Sequence, residues 1–161
     1  MKRLTLLRHG HAEAQAEGGD FERALDARGR AEVTRAAAAL LQTCGLPDLV
    51  LTSTARRTQQ TTAIVCEHAD LAVRSERRLY HASREELMKV IQGTTDEITH
   101  LLVVGHNPGI SELALRWANS LNPSARFMGF STAGWCTVTF DGDHWATVAT
   151  PRDGQFAAAP A

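Results

Sequence analysis

Short apolar runs alternate with longer amphipathic or alanine-rich stretches along most of the chain. Apolar runs of about 4–8 residues are typical of buried strands, and longer stretches with a helical period are typical of helices. Strands that alternate with helices indicate a mainly parallel sheet covered on both faces. The pattern predicts strands over residues 2–7, 48–52, 71–75 and 100–104, and helices over 26–41, 54–68, 83–92 and 111–120.

The end of the chain follows a different pattern. Segments 135–140 and 144–150 alternate in residue type around Asp141-Gly142-Asp143, which predicts a hairpin and therefore an antiparallel edge to the sheet. Residues 151–161 have little to bury, and we expect them to form a loosely ordered tail. The predicted fold is a three-layer α/β/α sandwich in one domain over residues 1–150.

Charge and composition narrow the possible functions. The formal net charge is −1 in 161 residues, so nothing indicates a surface for nucleic acid or for an anionic membrane. No apolar run approaches the roughly 20 residues of a membrane span. The three cysteines are widely separated and form no C-x-x-C pair, which predicts reduced thiols and a cytoplasmic protein.

Candidate chemistry lies just beyond three of the predicted strands. Arg8 and His9 follow the first strand, and His106 follows the strand at 100–104. Arg57 falls in the first turn of the helix after the strand at 48–52, where a helix favours anions. Ligands bind at the carboxyl ends of the strands in open α/β sheets. If these three strands are neighbours, all four side chains converge at one edge.

This set of side chains suits phosphoryl transfer, which depends mostly on positioning and on stabilising negative charge. Two guanidinium groups can bind phosphoryl oxygens in bidentate fashion. A neutral imidazole can attack phosphorus and carry the group as phosphohistidine. A second imidazole can stabilise the transition state. Because arginines supply the positive charge, we expect no metal and no cofactor.

These residues make the chain resemble the histidine phosphatase superfamily, also called phosphoglycerate mutase-like. The R-H-G motif of that family matches Arg8-His9-Gly10, and its late G-H motif matches Gly105-His106. Its S-x-x-x-R-x-x-x-T element matches Ser53, Arg57 and Thr61. Three motifs in order, each at a strand end, make this resemblance specific.

Smaller features resemble the compact SixA-type branch, the phosphohistidine phosphatases. One is the stretch Gly105-His106-Asn107-Pro108-Gly109, and another is the segment Leu79-Tyr80-x-Ala82. The R-P-L-T-x-x-G element of that branch is present as Arg23-Ala24-Leu25-Asp26-x-x-Gly29, and it departs from the pattern at Ala24 and Asp26.

The resemblance implies a phosphoglycerate mutase-like fold and a role for each matching residue. His9 is the implied nucleophile. Arg8, Arg57 and His106 are implied to line the phosphate pocket, with Arg23 at its rim. The choice of Arg57 over its neighbour Arg56 rests on the spacing of the family motif.

A carboxylic acid that would protonate a departing alkoxide is not evident in the sequence. The titratable candidates are His81, Glu85 and Glu86. An alcohol benefits from such an acid by about 10²- to 10⁴-fold, whereas imidazole, with a pKa of about 6.5, leaves more easily. We therefore predict a phosphatase that acts on phosphohistidine in a protein. Two alternatives are a phosphomonoesterase acting on small phosphates and a non-catalytic phosphate-binding module, and the oligomeric state stays open.

Overall fold

A computed structural model describes residues 1–157, and every element predicted up to residue 140 is present within three residues of its expected ends. The strands are β1 Lys2–Arg8, β2 Leu49–Thr52, β3 Val73–Ser75, β4 His100–Gly105, β5 Trp135–Phe140 and β6 Asp153–Ala157. The helices are α1 Ala27–Cys44, α2 Arg56–Cys66, α3 Arg84–Gln92 and α4 Gly109–Leu121. In this described part of the chain, no helix has the length and apolar character needed to cross a membrane.

The six strands form one sheet in the order β3-β2-β4-β1-β5-β6. The first four are parallel, β5 is antiparallel to β1, and β6 is antiparallel to β5. Strands β2, β4 and β1 are therefore consecutive neighbours. Their carboxyl ends lie at the same edge, so the residues that follow them are brought together as the sequence predicts.

Helices cover both faces of the sheet, which confirms the three-layer sandwich. Leu4 and Leu6 of β1 point to one face and belong to the core cluster that includes α3 and α4. Leu7 points to the other face and packs in the cluster that includes α1 and α2. Because β1 is covered on both sides, its residues form a nearly continuous apolar run rather than an alternating one.

Local sequence signals determine where two of the helices begin. The Asp26 carboxylate accepts a hydrogen bond from the Gly29 amide at 2.8 Å and caps α1. Ser83 and Glu86 form the capping box that their spacing predicts at the start of α3. Both caps satisfy amide groups that have no partner inside the helix.

Two glycines allow the loops beside the site to approach helices closely. A Cβ atom on Gly29 of α1 would lie 1.9 Å from the carbonyl oxygen of His11. A Cβ atom on Gly109, the first residue of α4, would lie 2.0 Å from the carbonyl oxygen of Ala82. Any larger residue would force these segments apart. The loop after β1 is thus fixed against α1, and the segment before α3 is fixed against α4.

The predicted hairpin and the predicted tail are wrong in one respect each. Residues 144–150 form no strand; Trp145–Thr147 is instead a single 3₁₀ turn. Trp145 is fully buried and donates its indole N–H to the carbonyl of Ile98 at 2.7 Å, which holds the segment in the core. The antiparallel partner of β5 is β6, which lies within the expected tail. Residues 158–161 of that tail lie outside the described residues.

Candidate active site

The three strand ends place the two predicted histidines and one arginine in direct contact. The ring centroids of His9 and His106 are 5.2 Å apart. Arg57 donates a hydrogen bond from Nε to Nε2 of His9 at 3.3 Å. All three side chains are at most 8% exposed. Arg8 is close enough for its charge to act on His9. We refer to the cluster of these four residues as the phosphoryl pocket.

His9 is held in one orientation and in the neutral state. Its Nδ1 atom lies 2.7 Å from the carbonyl oxygen of Gly10, so Nδ1 carries the proton and Nε2 keeps its lone pair. Thr61 fixes this loop by accepting a hydrogen bond from the Gly10 amide at 3.2 Å. Burial lowers the pKa of His9 to about 4, and the nearby arginine charges act in the same direction. The lone pair that accepts the hydrogen bond from Arg57 is therefore that of a neutral imidazole at pH 7.

His106 is a second neutral imidazole with one nitrogen left for a ligand. Its Nε2 atom shares a hydrogen bond of 2.7 Å with the hydroxyl of Ser53. Ser53 accepts a hydrogen bond from the Ala55 amide and keeps its own proton to donate. We assign that proton to the bond with Nε2, which places the ring proton of His106 on Nδ1. Nδ1 is buried and has no partner among residues 1–157. Burial lowers the pKa of His106 to about 3.

Two arginines supply positive charge to the pocket. Arg57 is buried at the start of α2, whereas the neighbouring Arg56 is exposed. Arg8 donates from Nη1 to the carbonyl of Phe130 at 2.9 Å. The Nε atom of Arg8 is buried with no partner in the described part of the chain. A bound oxyanion would satisfy this donor together with Nδ1 of His106.

The rim of the pocket holds Arg23, Tyr80 and His81, all grouped around Asp20. Arg23 donates to Oδ1 of Asp20 at 2.9 Å. The Tyr80 hydroxyl donates to Oδ2 at 2.7 Å, and Nε2 of His81 lies 3.2 Å from the same oxygen. The hydrogen bonds from Tyr80, Arg23 and Arg57 hold the pKa of Asp20 well below its usual range. Asp20 is therefore a carboxylate and not an acid.

Of the three candidates for a general acid, the structure brings only His81 to the pocket. Nε2 of His81 lies 3.5 Å from Nη2 of Arg57. Glu86 accepts a hydrogen bond from the Ser83 amide at 2.7 Å and serves the helix cap. Glu85 is 66% exposed and pairs with Arg84. Glu85 and Glu86 are therefore not supported as candidates for the acid, because their carboxylates are engaged on helix α3.

Comparison with known proteins identifies the family. A model of the histidine phosphatase superfamily (branch 1) matches residues 4–83, which contain the first two of the three strand ends. A putative phosphohistidine phosphatase SixA from Agrobacterium tumefaciens, known from a crystal structure, is 30% identical to this chain in sequence. The match covers 85% of this chain and 90% of the Agrobacterium chain, with a TM-score of 0.73. The chain is a SixA-type member of the histidine phosphatase superfamily.

Other relatives of this histidine phosphatase are similar over most of the chain. A putative phosphohistidine phosphatase SixA from Nakamurella is 26% identical over 96% of this chain and 95% of that one, with a TM-score of 0.80. An uncharacterized protein of Mycobacterium tuberculosis is 34% identical over 86% of this chain and 90% of its own length. Both the predicted family and the predicted fold are confirmed, and membership implies phosphatase activity.

Sequence reasoning missed Asp20 and gave no role to Tyr80. Asp20 lies in the polar loop between β1 and α1, where no hydrophobic period marks it. The one signal in the sequence that could have found Asp20 is its position in the loop after β1, because loops at the carboxyl ends of parallel strands carry functional groups. Among residues 1–157 of the phosphatase, no three side chains of His, Cys, Asp or Glu are grouped so that they could hold a metal ion.

Proposed function

We propose that this phosphatase removes the phosphoryl group from phosphohistidine on a protein, through a phosphorylated His9. Nε2 of His9 attacks phosphorus, the P–N bond of the substrate breaks, and the substrate imidazole leaves and takes up a proton from solvent. Water then attacks the phosphorylated His9, which releases inorganic phosphate and restores the imidazole. Arg8, Arg57 and Nδ1 of His106 bind the phosphoryl oxygens in both steps.

The observation that carries this proposal is the orientation and protonation state of the His9 imidazole. Its Nδ1 is bound to the Gly10 carbonyl, so the lone pair of the neutral ring faces Arg57. A nucleophile directly beside an anion-binding guanidinium is the arrangement that covalent phosphoryl transfer requires. A module that only binds phosphate would have no need of this lone pair, which argues against the non-catalytic alternative.

The preference for phosphohistidine is supported by the groups available to protonate a leaving group. Asp20 is a carboxyl that contacts the pocket residues, and its lowered pKa keeps it ionised at neutral pH, so the candidate acid beside the pocket is the imidazole of His81 and not a carboxylic acid. An alkoxide leaving group needs a strong proton donor, whereas imidazole does not. The likeness to putative phosphohistidine phosphatases points to the same class of substrate.

A substrate comparison tests the proposal. A protein phosphorylated on histidine and a panel of sugar phosphates and nucleoside monophosphates are supplied to the enzyme in EDTA, and kcat/KM is measured for each. We expect at least about a 10²-fold preference for the phosphohistidine protein, the lower bound of the contribution of a general acid. Faster turnover of any monoester supports the phosphomonoesterase instead. Tight binding without release of phosphate supports the non-catalytic module, and loss of activity in EDTA contradicts metal independence.

The lowered pKa of His9 predicts an unusual pH dependence. Only the neutral ring can attack phosphorus, so kcat/KM is lost as pH falls through the pKa of the free enzyme, about 4, and is present above it. NMR of protein labelled with ¹⁵N-histidine measures the titration directly. We expect His9 to carry its proton on Nδ1 at pH 7 and to titrate with a midpoint near 4. A midpoint near the ordinary imidazole value of about 6.5 contradicts this prediction.

A further inference from the structure

A carboxylate of the protein itself is bound by the cations of the phosphoryl pocket. Oδ2 of Asp20 lies 3.1 Å from Nη2 of Arg57, 2.7 Å from the Tyr80 hydroxyl and 3.2 Å from Nε2 of His81. Oδ1 accepts a hydrogen bond from Arg23 at 2.9 Å. The backbone carbonyl of Asp20 accepts a further hydrogen bond from Nη1 of Arg57 at 2.8 Å.

These contacts use the donors that a phosphoryl group needs. Both terminal nitrogens of Arg57 are engaged by Asp20, and only Nε faces His9. A guanidinium binds a phosphoryl group most strongly with two parallel N–H donors, so at least one of the bonds to Asp20 must be given up. A phosphoryl dianion that arrived with Asp20 in place would also meet a like charge within a few ångströms.

The segment that carries Asp20 has fixed ends, and its tip, the 3₁₀ turn Asp20–Glu22, contains no buried residue. We call residues 13–24 the strap. Its ends are joined by a bridge between Ala12 and Leu25, and the Glu13 amide donates to the Ala24 carbonyl at 2.9 Å. Gly19, directly before Asp20, has a φ of 89° and no atoms near the position of a Cβ. The side chain of Asp20 is itself 40% exposed, so it can leave the pocket without disrupting the core.

We propose that Asp20 is an internal competitor for the phosphoryl pocket, which substrate displaces and which displaces the product phosphate. This inference rests on the proposed function, because it takes the pocket to be the place where phosphate binds. Asp20 weakens the binding of free inorganic phosphate and so limits product inhibition. A substrate overcomes the same competition through the additional contacts of its leaving group.

The test is the affinity for inorganic phosphate of the wild-type enzyme and of Asp20→Asn, measured by calorimetry at pH 7.5. Asparagine preserves the size of the side chain but removes its charge and replaces one of the two acceptor oxygens with an NH2 donor, so part of the bonding to Arg23, Arg57 and Tyr80 is lost as well. We expect phosphate to bind about ten-fold more tightly to Asp20→Asn. Repulsion between two like unit charges about 4 Å apart weakens binding by about five-fold in water and by much more at a partly buried site, and the expected factor lies between these limits. The inhibition constant of phosphate in turnover should fall by the same factor. Tyr80→Phe removes one bond to the carboxylate and should give a smaller change in the same direction.

Glu22→Gln is the matched control. Glu22 lies in the same 3₁₀ turn, Asp20–Glu22, and is exposed, so the substitution changes the charge of the strap without changing a contact to Arg57. We expect its phosphate affinity to equal that of the wild type. Unchanged or weaker binding by Asp20→Asn overturns the inference, since weaker binding is the result if Asp20 serves to orient Arg57. Absence of phosphate binding by every form, the wild type included, contradicts the proposed function instead.

Discussion

Replacement of His9 by alanine is expected to lower turnover by at least about 10⁴-fold and to abolish covalent labelling by a phosphoryl donor. The reason is that Nε2 of His9 forms the bond to phosphorus in the proposed mechanism, and Nε of Arg57 contacts that same atom. The fold should survive, because the sheet and both core clusters are formed by other residues. Single-turnover mixing with a radiolabelled phosphohistidine protein, followed by an assay for acid-labile phosphate, measures the loss.

His68→Ala provides a comparison for that experiment. His68 is exposed just after α2 and has no contact with the phosphoryl pocket. Its substitution should leave both labelling and turnover within about two-fold of the wild type, since most surface changes are nearly neutral. Acid-labile phosphate on His9→Ala at the wild-type level would show that another group is the nucleophile and would end the mechanism proposed above.

The second large effect is expected for Arg57→Ala, with kcat/KM lowered by about 10²- to 10³-fold, equivalent to about 3–4 kcal/mol of transition-state stabilisation. Arg57 is buried and reaches His9 from one side, so it faces the position where negative charge develops. Arg57→Lys should recover only part of the loss, because an ammonium group cannot provide two parallel donors. Steady-state kinetics with the phosphohistidine protein measure all three forms.

Arg56→Ala is the matched control for Arg57. The two arginines are adjacent in the sequence, carry the same charge and begin the same helix, yet Arg56 is exposed and Arg57 is 3% exposed. Arg56→Ala should change kcat/KM by less than about two-fold. A large loss of kcat/KM for Arg56→Ala with little loss for Arg57→Ala would show that Arg56, and not Arg57, binds the phosphoryl group.

The centre of the site was predictable because it depends on the strongest signals in the sequence. Strands β1, β2 and β4 are nearly continuous apolar runs, and a chain with alternating strands and helices makes a parallel sheet. The carboxyl ends of such strands share an edge, so Arg8, His9 and His106 could be brought together without coordinates. The choice of Arg57 needed the spacing of the family motif, since Arg56 carries the same charge beside it.

The antiparallel edge was harder to predict because the local pattern favours the wrong segment. Residues 144–150 alternate in residue type, whereas 153–157 contain one large apolar residue, Phe156, and give little sign of a strand. The decision depends on Trp145, which is buried in the core and bonded to the carbonyl of Ile98. This contact joins residues that are 47 apart in sequence.

Asp20 could not be predicted from the sequence either, because its role also depends on contacts between distant residues. Its importance comes from contacts with Arg57 and Tyr80, which are 37 and 60 residues away along the chain. No period or motif within the strap marks it, and a polar loop tip with two glycines is typical of an ordinary surface connection. His81 was a candidate only because it lies within the family segment 79–82. Its place beside Asp20 depends on the packing of Gly109 against Ala82, which the sequence does not show.

The contact between Gly109 and Ala82 also has a consequence for engineering. It joins the start of α4, three residues after His106, to the segment that presents Tyr80 and His81, with no space for even a methyl group. Changes of substrate preference are therefore best sought by varying the side chains of Tyr80 and His81 while this backbone joint is left intact. Libraries that randomise position 109 should return almost entirely glycine among active clones.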